Sequence, residues 1–270
     1  MTQVGPAFDS DGLATRYDRV SAESLLAFGR RLIDALELST GERVIDVGCG
    51  TGLLTEHVAD LVGPSGAVVG IDPLPHRVDI AARRAAANVT FRVGTAYDLS
   101  AFDAASFDAA YLHFVFHWLD DQPAALRQLH RVLVTGGRLG LTASARECEN
   151  TFRTARRIVL NRPEYAQYRT SEAGDPHRVA ANELARLLDH AGFDLVTLQR
   201  RTVESQWTDA KQMIAGYETV WFGSLFGDLP PEVQSRARAD LVAELERART
   251  PAGIPVRSAR TLAVAVKRGG

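Results

Sequence analysis

The residues best placed to do chemistry lie in and just after Val44-Ile45-Asp46-Val47-Gly48-Cys49-Gly50-Thr51-Gly52. A β-branched run enters a glycine turn there, and Leu54, Val58 and Leu61 then follow at the spacing of one helix face. Side chains at the glycines would block the turn or keep a ligand from the peptide units. The amides that open the helix lack intrahelical partners and would point at whatever lies over the loop. A dinucleotide loop reads G-x-G-x-x-G, whereas this one reads G-x-G-x-G, with Asp46 two positions before the first glycine. Asp46 is expected at the strand end, pointing into the ligand crevice. No Lys-Ser/Thr follows the glycines, as a P-loop would require. A second acid, Asp72, ends Ala67-Val68-Val69-Gly70-Ile71-Asp72, about 20 residues past the loop, where a carboxylate can accept both ribose hydroxyls. The pattern fits an adenosine-bearing ligand whose tail is an amino acid and not a phosphate.

Alternating strands and helices must position these groups. Strands are expected over Arg43–Val47, Ala67–Asp72, Val89–Val93, Phe107–His113 and Arg138–Ala143. Helices fall between them at Gly52–Val62, Leu74–Ala87 and Pro123–Val134, an order that predicts a parallel sheet covered on both faces. Further on, helices are expected over Thr151–Leu160 and Val179–His190, and strands over Phe193–Gln199 and Arg260–Val266. The long stretch between those two strands carries helical patterns at Asp209–Leu225 and Pro231–Arg249, where a hairpin would suffice. Helices that complete no sheet read as a lid and cap: Phe8–Leu36, Thr151–Pro176 and Trp207–Ala252. The predicted organisation is N-terminal lid helices over 1–36 and a main domain over 37–270, with cap insertions at about 145–178 and 201–258.

Composition narrows the classes. With 270 residues, 46% of them hydrophobic, the chain can bury one sizeable core and still build a cap. A formal net charge of −2 suggests no general affinity for nucleic acid or anionic membrane. Two cysteines, Cys49 and Cys148, form no disulfide framework. With no signal segment at the start, a cytoplasmic monomer or homodimer is the expectation. No residue set with metal-ligand spacing is found.

Val44 to Gly52 resembles motif I of the class I S-adenosylmethionine-dependent methyltransferases, and Gly70-Ile71-Asp72 resembles their second motif. The similarity continues through Arg92–Leu99, Phe107–Ala110, His117-Trp118-Leu119 and Leu129–Leu139, and so covers Tyr17 to Ser144. It is closest to the small-molecule group typified by ubiquinone/menaquinone-type enzymes. Two positions depart from the pattern: Thr95 stands where Asp is usual, and Thr135 where Pro is usual. The resemblance implies an α/β fold, a doubly wound, mostly parallel seven-stranded Rossmann-like sheet with a helical cap. It implies S-adenosylmethionine as cofactor, bound by Tyr17, Asp46, Gly48, Cys49, Gly50, Asp72, Pro73, Ala96, Tyr97 and His113.

Methyl transfer from a sulfonium is an in-line displacement in which positioning can supply most of the catalysis. Where the acceptor must lose a proton, a base of near-neutral pKa is needed beside it. His113, at the carboxyl end of the fourth strand, is the candidate; its alternative role is packing against the cofactor. His117, His177, Tyr217 and Trp221 are candidates for touching substrate. Packing is the competing role for His117 and for the cap aromatics Trp207, Tyr217, Trp221, Phe222 and Phe226. An Arg or Tyr clamp for a carboxylate acceptor could come from Arg153, Arg156, Arg157, Tyr165 or Tyr168. The implied activity is methyl transfer to oxygen, nitrogen or activated carbon of a small, partly apolar molecule. Its rivals are a cofactor-retaining cyclase or lyase and a non-catalytic cofactor-binding protein.

Overall fold

The computed structural model describes residues 11–168, 176–221, 225–226 and 229–269, with the side chains of the first helix described in sequence from Leu25 onward. Helix α1 (Asp11–Leu36) leads into alternating elements: β1 (Arg43–Val47), α2 (Leu53–Val62), β2 (Ala67–Asp72), α3 (Pro75–Ala82), β3 (Val89–Val93) and β4 (Phe107–His113). A 3-10 turn at Phe116–Trp118 precedes α4 (Gln122–Val132) and β5 (Leu133–Ser144). Then come α5 (Thr151–Leu160), α6 (Pro163–Ala166), α7 (Ala181–His190), β6 (Phe193–Trp207), α8 (Ala210–Val220), α9 (Pro231–Glu246) and β7 (Ile254–Lys267). The strands form one seven-stranded sheet in the order β3-β2-β1-β4-β5-β7-β6, with β7 antiparallel to both neighbours.

Because successive side chains of a strand point to opposite faces, the central strands bury alternate residues in two cores. Val44, Ala109, Tyr111, Leu262 and Val264 pack under α1 and α2. Ile45, Ala110, Leu112, Ala263 and Ala265 pack under α4 and α7. A sheet covered on both faces explains why these strands read as continuous apolar runs. A third core, built from Phe152, Val159, Met213, Ile214, Trp221, Leu241 and Leu245, joins α5, α8 and α9 into the cap. Among the described residues no helix is long and apolar enough to cross a membrane.

Three expectations about organisation are corrected. Among the described residues the segment read as lid helices holds one helix, α1, and Phe28, Leu32, Ile33 and Leu36 of its second half lie in the main core. The last two strands are much longer than expected. β6 runs on to Trp207 and β7 starts at Ile254, paired Trp207↔Ile254, so the inserted helices occupy 208–253. Val89 lies a few residues past the end of α3, which stops at Ala82, short of the predicted Ala87. The β6–β7 extension carries no strand alternation in the sequence, because Arg200 to Gln206 is polar apart from Val203 and Pro255 interrupts the pattern. The extended part of β7 anchors α5: Thr151 Oγ1 donates to Pro255 O at 2.6 Å and Asn150 Nδ2 to Arg257 O at 3.3 Å.

Candidate functional site

The carboxyl ends of β1, β2 and β4 open into a cavity of about 1120 Å³ that continues under the cap. One end is lined by Gly48, Asp72, Pro73, Ala96 and Tyr97, the other by His117, Trp118, Arg153, Trp207, Tyr217, Trp221 and Arg260. An open α/β sheet binds ligands at this edge, where the strand order reverses.

The glycine loop is fixed by its own amides. Gly48 N and Cys49 N donate to Ile71 O at 2.7 and 3.0 Å, and Gly50 N to Asp72 Oδ2 at 2.9 Å. These three loop amides are therefore engaged within the protein, and they precede the helix-opening amides of α2, which begins at Leu53. Gly48 has φ +84, and a Cβ there would sit 2.1 Å from Val115 Cγ2. The bare backbone is what lets the chain pass Val115 while still lining the cavity. Asp72, buried at 5% exposure, takes Leu74 N on its Oδ1 at 2.9 Å. Both oxygens are thus held in place at the lip of the cavity.

Asp46 does not point into the crevice. Its Oδ2 accepts from Thr55 Oγ1 and Tyr111 OH, each at 2.7 Å, beneath the loop. Burial raises its pKa to about 7 against the pull of those two hydroxyls. Asp46 braces α2 and β4 under the loop; it does not line the cavity, and neither do Cys49 and Gly50. Cys49 is itself held in its thiol form by burial. Tyr17 lies on α1, but its side chain is outside the described residues. Ala96 and Tyr97 form the wall after β3, and the Tyr97 hydroxyl donates to Asp120 Oδ1 while accepting Asp120 N at 2.8 Å. Burial first, and that carboxylate second, push the Tyr97 pKa up to about 12.

His113 lines the cavity, but both of its ring nitrogens are engaged. Nε2 lies 3.0 Å from Leu25 O of α1 and Nδ1 lies 2.7 Å from Thr142 Oγ1. A carbonyl can only accept, so Nε2 carries the proton and Nδ1 accepts the threonine hydroxyl. Burial, aided by the Arg260 charge, lowers the pKa of His113 to about 4. Both hydrogen bonds and the lowered pKa favour a neutral ring at the position where the sequence led us to expect a base of near-neutral pKa. His117 is buried at 4% exposure on the 3-10 turn, its Nδ1 facing Ser144 N at 3.4 Å. Burial and the charges of Arg178 and Arg153 bring its pKa down to about 3. His177 is exposed and is not among the described residues of the cavity wall, which its neighbour Pro176 joins; its carbonyl accepts Gln122 Nε2 at 2.7 Å.

Tyr217 and Trp221 belong both to the cap core and to the cavity wall. Phe152 stacks on Tyr217 with centroids 3.8 Å apart, and Trp118 meets Trp221 edge to face at 6.3 Å. Of the possible clamp residues only Arg153 lines the cavity. Arg156 is buried over the Trp221 ring at 4.3 Å, Arg157 is exposed, and Tyr165 is sunk in the cap core against Asp240. Arg260, Asn150 and Ser258 were not foreseen. The available clue was an arginine opening the apolar run Leu262–Val266; antiparallel pairing, Arg260 with Ser144, brings it to the ligand edge.

A methyltransferase-domain family model matches residues 45–141. Aklanonic acid methyltransferase from Streptomyces sp. (strain C5) is 37% identical over 145 residues, 52% of this chain and 64% of that one. The 2-phytyl-1,4-naphtoquinone methyltransferase of Synechococcus elongatus is 32% identical over 163 residues, 56% of this chain and 69% of that one. The YcgJ protein from Bacillus subtilis shares the fold, with a TM-score of 0.61 at 20% identity over 92% of this chain and 99% of that one. The chain belongs to the class I S-adenosylmethionine-dependent methyltransferases. It spans less than two thirds of the length of the first relatives it matches, 64%, 48% and 54%.

Proposed function

We propose that this protein transfers the methyl group of S-adenosylmethionine to a small, partly apolar organic acceptor. The observation that carries this reading is the continuity of one cavity from the glycine loop to the aromatic cap. The cavity fits the cofactor: a cradle at Gly48 that a Cβ would fill, and a fixed Asp72 carboxylate at the position suited to a ribose diol. Asp98, Asp120 and Asp121 on the same side suit the positive charge of a sulfonium and an amino group.

When bound, the cofactor supplies an electrophilic methyl group. Asp72 would accept the ribose hydroxyls, with Pro73, Ala96 and Tyr97 beside the adenosine. Trp118, Trp207, Tyr217 and Trp221 would exclude water and hold the acceptor near the methyl, where fixed geometry lowers the barrier. His113, neutral and engaged on both nitrogens, orients the end of β4 against α1 and takes no proton. The acceptor on this reading arrives already nucleophilic.

The test combines calorimetric titration with S-adenosylhomocysteine and incubation of the protein with methyl-labelled cofactor and small-molecule extracts. Binding plus label recovered in a small product supports the proposal. Binding with no label transferred to any extract would overturn methyl transfer as the activity.

A further inference from the structure

Among the described residues, the charged side chains that line the capped half of the cavity are of one sign. Arg153 of α5 and Arg260 of β7 both line it and both are half-buried. The acids that line the cavity, Asp72, Asp98, Asp120 and Asp121, all stand on the glycine-loop side. Among the described residues no carboxylate pairs with either arginine. Among the described residues, the groups that interact electrostatically with Arg153 are Arg178, Tyr217, Cys148 and His117, and those that interact with Arg260 are Tyr217 and His113.

Few of the guanidinium donors are used. Arg153 Nη2 donates to Cys148 O at 3.2 Å, and the Arg260 guanidinium lies over the rings of Phe28 at 5.6 Å and Phe114 at 5.4 Å. A guanidinium has N–H groups in a rigid fork that suits a carboxylate, and a cation removed from water without an anion is unfavourable. Both arginines lie beside Tyr217, whose charge state each of them biases.

A polar frame fixes the pair. Asn150 accepts Arg153 N at 3.1 Å as the cap of α5 and donates to Tyr217 OH at 3.1 Å and Ser258 Oγ at 3.2 Å. One side chain therefore ties α5, α8 and β7 together at this end of the cavity. The Trp118–Trp221 and Trp207–Tyr217 ring pairs, each 6.3 Å between centroids, supply flat apolar walls alongside.

We propose that the acceptor molecule bears a carboxylate that Arg153 and Arg260 bind, while its flat apolar body lies against Trp118, Trp207 and Trp221. The proposal rests on the methyltransferase reading for calling this ligand the acceptor; the anion site itself does not. It also makes Arg153 and Arg260 the residues that set specificity.

Paired probes test it: 2-naphthoate against 2-naphthamide, and biphenyl-4-carboxylate against its amide, titrated calorimetrically with and without S-adenosylhomocysteine. The carboxylates should bind at least tenfold more tightly than the amides. Arg153→Gln and Arg260→Gln should each reduce that ratio and together remove it, while amide and S-adenosylhomocysteine affinities stay unchanged. No carboxylate preference in the wild-type protein, or a preference that survives in the double variant, overturns the proposal. The wild-type comparison alone decides the matter if a variant does not fold. Failure of S-adenosylhomocysteine to bind would instead overturn the methyltransferase reading and leave the carboxylate result standing.

Discussion

Replacing His113 by alanine tests whether this ring is a neutral strut or a titrating base. The substitution leaves Leu25 O and Thr142 Oγ1 without their ring partners at 3.0 and 2.7 Å and opens space at the end of β4. Two lost hydrogen bonds and the vacated volume predict a destabilisation of about 2–4 kcal/mol at pH 7. The pH dependence is more discriminating. The folded ring titrates near 4 and the unfolded one near 6.5, a difference of 2.5 units. At pH 7 the ring is neutral in both states and linkage contributes nothing. Between pH 6.5 and 4 the unfolded chain takes up the proton first, so the wild type loses stability as pH falls. At 1.36 kcal/mol per unit that loss is about 3 kcal/mol by pH 4, and the alanine variant does not share it. His117, titrating near 3, adds its own acid loss to both proteins. Urea denaturation at intervals from pH 7.5 to 4.5 should therefore show the gap between the two proteins narrowing steadily. A gap independent of pH would refute the buried, neutral assignment. A hundredfold or greater loss of turnover in the variant, with a wild-type limb near pH 6–7, would restore the general base.

Asp72→Ala should weaken S-adenosylmethionine binding by about 1.5–3 kcal/mol, the range for hydrogen bonds to a charged group; unchanged affinity by calorimetry would move the ligand elsewhere. Gly48→Ala should cost about 1–2 kcal/mol for an L residue at positive φ and about 1–3 kcal/mol for the clash with Val115. In a Val115→Ala background thermal denaturation should show only the second part relieved. Asp46→Asn should gain stability relative to wild type as pH rises from 4 to 7. The folded carboxyl holds a proton up to about pH 7 that the unfolded one releases near 3.8, so only the wild type loses stability over that window. Parallel denaturation curves at pH 4.5 and 7.5 would contradict the assignment of Asp46 as a buried acid.

The sequence by itself determined the first half of the chain. Val44 to Gly52, the alternation of apolar strands with amphipathic helices, and Asp72 at a strand end are local patterns, set by pleat, helix period and turn geometry within a few residues. That is why β1, β2 and β4 matched their predicted bounds, Arg43–Val47, Ala67–Asp72 and Phe107–His113. The roles of Asp46 and His113 were not legible in the same way. Whether a strand-end side chain meets ligand or protein depends on Tyr111, Leu25 and Thr142, which stand 65, 88 and 29 residues from their partners, and only for Thr55 on a group nearby in sequence. The cap shows the same division. Its helices announced themselves by period, but the placing of Arg260 on the wall of the cavity that Arg153 also lines comes from antiparallel register between β5 and β7. Pairing across more than a hundred residues leaves no trace in local spacing, because the hydrogen bonds that fix it are made between backbones whose side chains need not announce them.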